Sequence, residues 1–252
     1  MAPILAAACF FLATRAEADT NGQCPAVDGS VPALAEIDAR KRLAFVATVM
    51  DDQARRARTW SFAWAITGFG LAASNYTQAA FFEDTFDDRL DPLVGATTSL
   101  VIPAAILVDP LAVMKHWRTL ESDLTALSPA EGLTGLCETL ARAERSLALS
   151  AEDEAFKAGI FTQIFVIAGN GAVALFLGLG FDHWRGALVN GGGGLLISEF
   201  QIYTQPTGAV TQLARYRRAD LEPAGGTTTA WSIHFAPWMT AKGAGLAAMG
   251  TF

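Results

Sequence analysis

Residues 186–214 contain one charged side chain, Glu199, in 29 positions. A carboxyl at the centre of a bilayer costs about 2.5–3.5 kcal/mol on insertion scales, so such a group normally faces a bundle interior or a cavity. Ser198, Gln201, Tyr203, Thr204, Gln205 and Pro206 surround it, a polar neighbourhood for lipid contact. Two chemistries fit: a proton or cation relay, or a hydrogen bond to an amide on another helix, with Asn170 and Gln163 as the partners in reach of that role. A conducting path normally needs several ionisable groups. The helix–helix contact is therefore the expectation, and Glu199, Gln201, Asn170 and Gln163 are the candidate binding residues.

Other chemistry-bearing residues are sparser. Gly191, Gly192, Gly193 and Gly194 follow no strand and lack the Lys-Ser/Thr ending of a phosphate loop, so they predict close helix packing or a locally unwound helix. His183 stands between Asp182 and Trp184 with no nucleophile beside it, which is weak material for catalysis. Glu83, Asp84, Asp87, Asp88 and Asp91 lack the spacing and central glycine of a calcium loop and read as a solvated acidic turn. Asn75, Tyr76 and Thr77 form a glycosylation sequon inside an apolar stretch, where it has no use. No catalytic residue, metal or cofactor is expected.

Such residues must be positioned by long helices. Residues 59–82 and 158–181 carry no Asp, Glu, Lys or Arg, and residues 92–114 carry only Asp109. A helix of 24 residues spans about 36 Å, enough for a hydrocarbon core of about 30 Å. With residues 186–210 these predict four membrane spans. Amphipathic stretches at 34–58 and 131–157 run directly into the first and third spans, and basic stretches at 115–127 and 211–221 continue the second and fourth. The expected fold is all-α: two tandem helical hairpins extended beyond the membrane on one side.

The halves also match one another. At an offset of 101, Asp52, Ile66, Gly68 and Gly70 meet Asp153, Ile167, Gly169 and Gly171; at 96, Gly95 and Pro110 meet Gly191 and Pro206. This predicts an internal duplication, a parallel repeat of the kind some transporters use. The domain reading is a signal peptide at 1–18, a first hairpin at 19–127, a second at 128–222, and a tail at 223–252 with two short strands. The strict alternation at 231–235 and the terminal Phe252 suggest the strands.

The signal peptide rests on the apolar run at 4–13 followed by Ala16, Glu17 and Ala18, a small-x-small cleavage pattern. Cleavage removes Cys9 and leaves Cys24 and Cys137, which in an exported protein predicts one disulfide. Export and charge then conflict. Of 18 Lys and Arg residues, only Arg89 and Arg185 lie on the far side of the spans, and Arg15 is in the signal. The positive-inside tendency places the other 15 in the cytoplasm. Insertion into a bacterial outer membrane, with the charged bundle in the periplasm, resolves the conflict; the inner membrane is the alternative.

Composition agrees with a bilayer. The 252 residues are 52% hydrophobic and 17% charged, with mean hydropathy +0.30. That excludes disorder. A net charge of −7 argues against a phosphate-backbone grip on nucleic acid. The expected function is a non-catalytic envelope scaffold or assembly protein. Its partners are the lipid bilayer and either copies of itself or other envelope proteins. A small transporter or channel using Glu199 is the alternative, and an enzyme ranks last.

Overall fold

A computed structural model describes residues 23–127, 132–222, 232–240 and 243–251. The chain divides into two units, Met1–Asp220 and Leu221–Phe252. The predicted signal segment at 1–18 lies outside the described residues.

The first unit is helical. Asp38 starts the long helix α1 (Ala39–Phe81) by accepting from the backbone N–H of Arg40 and Lys41 at 2.9 and 3.1 Å, which satisfies two of the donors a helix start leaves open. Thr85 does the same for α2 (Phe86–Ser99), which carries Asp87 and Asp88 in its first turn. A break at Leu100 leads into α3 (Val101–Val108), and Asp109 and Pro110 separate it from α4 (Ala112–Ala126). The second half is helical as well. α5 (Gly132–Lys157) breaks at Gly159 and resumes as α6 (Ile160–Phe181). Asp182, at φ 61°, turns the chain into α7 (Trp184–Ala187). A π turn over Leu188–Gly192 leads to α8 (Gly193–Tyr203). Pro206 then precedes α9 (Gly208–Arg217).

Two of these helical runs, Phe86–Ala126 and Gly132–Phe181, are long and apolar enough to cross a membrane by length and composition. The other two predicted spans are diluted by Ser, Thr, Asn and Gln at 59–82 and by six glycines at 186–210.

At the charged end, α1, α4, α5 and α9 pack on one another. Leu43, Val46 and Met50 of α1 face Leu120 of α4, Leu140 and Leu147 of α5 and Leu213 of α9 as a dry core. The expected disulfide closes this bundle: Cys24 and Cys137 are bonded, with Cα atoms 5.3 Å apart across 113 residues of chain. In the entropy model a loop of that length gives about 4–5 kcal/mol. At the hairpin end the core is small, with Leu90, Leu177 and Ala187 at its centre.

In the second unit, β1 (Ser232–Thr240) pairs antiparallel with β2 (Gly243–Thr251), in a register that sets Ser232 opposite Thr251 and Thr240 opposite Gly243.

Candidate functional site

Three constellations of polar residues lie along the helices, one at each level. In the charged bundle, Arg42 is 0% exposed. Its Nη1 donates to the Cys24 carbonyl at 2.8 Å, one Nη2 bond goes to the Pro25 carbonyl at 2.9 Å, and Nε donates to the Tyr216 hydroxyl at 3.0 Å. Arg42 Nη2 and the Tyr216 hydroxyl both donate to Glu144 Oε1. Phe45 stacks on Tyr216 at 5.8 Å. Burial pushes the Glu144 carboxyl up, while Tyr216 and Arg42 pull it back. Burial, and then the Glu144 charge, raise the Tyr216 hydroxyl above its usual range, so it stays a donor. This triad ties the N-terminal segment, α1, α5 and α9 together.

The second constellation is a collar where the charged bundle meets the apolar helices. Adjacent carboxylates of α5 cap the two helices that restart after the proline breaks. Asp153 accepts from the Ala112 N–H at 2.8 Å at the start of α4. Glu154 accepts from the Ala209 N–H at 2.9 Å and the Val210 N–H at 3.4 Å at the start of α9. Lys157 Nζ reaches Asp109 Oδ2 at 3.0 Å and Asp153 Oδ1 at 3.1 Å. Glu154 is 1% exposed, and burial drives its carboxyl up to about 7 against the pull of the two N–H donors. Its Oε1 is unpaired, as is Oε1 of Gln53, whose side chain lies against Gly208 at the same helix start.

Below the collar, a cavity of about 610 Å³ opens between α1, α3, α6 and α8. Trp60, Ser61, Lys157, Gln201 and Gln205 line its collar end, and Leu71, Val173, Asn170 and Gly194 its deep end. Thr204 closes the neighbouring corner, accepting from the indole N–H of Trp60 at 3.3 Å and of Trp64 at 3.1 Å. Asn170 Nδ2 donates to the Val166 carbonyl at 2.9 Å, and its Oδ1 side packs over Gly194, where a Cβ would collide with it.

The four candidate binding residues separate here. Asn170 and Gln201 line the cavity; Glu199 and Gln163 do not. Glu199 is half-buried on α8 beside Leu196 and Tyr203, which are 73% and 81% exposed. Among the described residues no side-chain hydrogen bond or ion pair reaches Glu199, Gln163 or Gln201. The glycine run is a site of close packing: a Cβ on Gly191 would stand 2.7 Å from the Ala174 Cβ and 3.0 Å from the Asn170 carbonyl. His183 bridges the acidic turn, with Nδ1 at 2.8 Å from Asp91 and Nε2 at 3.2 Å from Asp87, and its bond to Asp91 raises its proton affinity. No group of three or more His, Cys, Asp or Glu side chains among the described residues could hold a metal ion.

The triad and collar escaped sequence reasoning. Arg42 and Tyr216 are 174 positions apart, and each sits in an ordinary amphipathic pattern. Comparison with known protein families, curated proteins and solved structures found no match.

Proposed function

We propose that this chain is a non-catalytic, membrane-embedded scaffold of the cell envelope that assembles through its apolar helices with copies of itself or with other envelope proteins. One observation carries the reading. In the two long apolar helical runs, only 17% and 11% of the most apolar window is buried. A core helix of a water-soluble protein hides such a window, whereas a bilayer solvates it. Exposed Phe161, Phe165 and Leu179 on α6 and Val101 and Val108 on α3 extend the belt.

The finer parts of the proposal have their own support. Four spans as two hairpins are supported by α1 and α8 lining the same cavity as α3 and α6. A duplication is supported by the repeated order of elements, each half breaking at a proline before its last amphipathic helix. The Cys24–Cys137 bond favours an oxidising compartment for the charged bundle. Outer-membrane insertion with a periplasmic bundle is the compartment proposed. Glu199, outside the cavity lining and beside exposed Leu196 and Tyr203, favours a polar contact with another chain over a relay.

Carbonate extraction tests the bilayer placement: the protein stays in the membrane pellet, and release into the soluble fraction overturns the reading. Cross-linking in membranes, with light scattering of the purified protein, tests assembly. Strictly monomeric protein with no cross-linked neighbour ends it. Glu199→Gln keeps the two-way hydrogen bonding of a protonated carboxyl and behaves as wild type. Glu199→Leu weakens assembly by about 0.6 kcal/mol, the average for polar contacts between membrane helices. A folded Gln variant that loses proton or cation flux in liposomes would replace the scaffold with the transporter.

A further inference from the structure

The cavity between α1, α3, α6 and α8 has a direction. Ser61 and Leu71 both line it from α1, ten residues apart, so the wall runs about 15 Å along the helix axis. That is the depth of one leaflet of a hydrocarbon core about 30 Å thick. The collar end brings Ser61, Asp109, Lys157, Gln201 and Gln205 together, and the wall below them is set by Ile102, Ile106, Val166 and Ile197. Val101 and Val108 on α3 and Phe165 on α6 line the cavity while remaining largely exposed, so it opens sideways between α3 and α6.

The collar end also has spare hydrogen-bonding capacity. Gln201 has no side-chain partner among the described residues. Ser61 and Gln205 are each 8% exposed, and Ser61 Oγ and Gln205 Nε2 are unpaired. Buried groups left unpaired forfeit the hydrogen bonds they make in water. Neither atom has accessible surface in the conformation described, so pairing requires Gln205 to turn its amide toward the cavity. At the deep end, by contrast, the Asn170 amide is turned to protein on both sides.

We infer that this cavity holds one acyl chain of an amphiphile, entering between α3 and α6, with its carboxyl or ester oxygen at the Gln201–Gln205 end. A volume of about 610 Å³ lies within the range of about 300–1,000 Å³ typical of ligand sites. Apolar walls take the chain, and amide donors at one end fix its direction. The inference rests on the bilayer placement proposed above only for where the chain comes from; a free fatty acid and a phospholipid offer the same chemistry.

The test uses the full-length protein in detergent and palmitate carrying a photoreactive group at the chain terminus. Gly169 lines the cavity, Gly171 does not, and a Cβ on either meets nothing within 4 Å. Gly169→Trp therefore fills the cavity and Gly171→Trp points elsewhere, both without a backbone clash. Labelling falls at least tenfold in Gly169→Trp and is unchanged in Gly171→Trp. In the wild type, which needs no variant to fold, the mapped cross-links fall on deep-end residues such as Leu71, Ile102 and Val173. Equal labelling of the two variants, or cross-links confined to outward residues such as Phe161 and Leu179, overturns the inference. Gln201→Leu with Gln205→Leu weakens palmitate roughly tenfold, the loss of about one hydrogen bond, and leaves a photoreactive hydrocarbon without a carboxyl unaffected. Equal effects on both probes overturn the polar end. Running the same label in phosphatidylcholine identifies the source: preference for either probe supports the inference, and no labelling by either overturns it. Carbonate release of the protein would remove the bilayer as the source and leave this test standing.

Discussion

At the charged end of the helices, polar groups are buried and the triad matches its own: Arg42 alone makes bonds to two carbonyls, a hydroxyl and a carboxylate. A few turns along the same helices, apolar groups are exposed and the polar ones bond mainly to their own backbone. Thr67, Asn75, Thr77 and Asn170 each donate to the carbonyl four residues earlier. One end holds together by expelling water and pairing charge. The other packs through small residues, with glycines such as Gly95 and Gly191 set against neighbouring side chains. The contrast runs along one unbroken helix, α1: its sequence changes character near residue 59 while its backbone does not.

The sharpest way to break this contrast is to leave a buried charge alone. Arg42→Met strands Glu144 in the dry core and is expected to cost about 3–5 kcal/mol, read as a large fall in melting temperature. Arg42→Met with Glu144→Leu is expected to recover most of it, because the stranded charge is gone. A single variant as stable as wild type would show that the triad is open to water.

Removing the disulfide comes next. Cys24→Ala with Cys137→Ala should cost about 2–5 kcal/mol in denaturant unfolding of the charged bundle, while membrane retention is unaffected. Loss of membrane retention would mean that the two ends do not fold as separately as their packing suggests.

The collar supplies a pH-dependent prediction. Glu154 holds its proton to about pH 7 in the folded protein, well above an exposed carboxyl. The folded state therefore binds more protons than the unfolded one between the two values, and stability falls as pH rises through that window. Below the unfolded value the contribution is fully present; above about pH 7 as much as about 3 kcal/mol is lost. Glu154→Gln should flatten that slope in melting curves taken across the window. An unchanged slope would assign the pH dependence to other groups.

The smallest effect belongs to the apolar end. Gly191→Val forces α6 and the π turn apart, because the added carbon meets the Asn170 carbonyl as well as the Ala174 methyl. A loss of about 1–3 kcal/mol is expected, read by melting in detergent. A neutral result would mean that this contact yields, and that the glycine run is a flexible hinge.

The sequence by itself determined the helical character, the proline breaks at Pro110 and Pro206 and the disulfide partners, while the breaks at Leu100 and Gly159, where it predicted continuous helix, appeared only in the structure. Charge-free runs and helical periodicity are local, proline interrupts a helix wherever it stands, and with Cys9 set aside only one pairing of cysteines remained. Only the tertiary structure decided what those helices present to one another. Arg42, Glu144 and Tyr216 meet across up to 174 positions of chain, and Glu154 finds the start of α9 from 55 positions away. Glu199 and Gln201 show why no local rule could have chosen between them. They lie two residues apart on α8, yet about 100° per residue of helical turn puts Gln201 on the cavity and Glu199 beside the exposed stripe. Which face of a helix is inside depends on the packing of its neighbours, and that packing is a property of the assembled bundle.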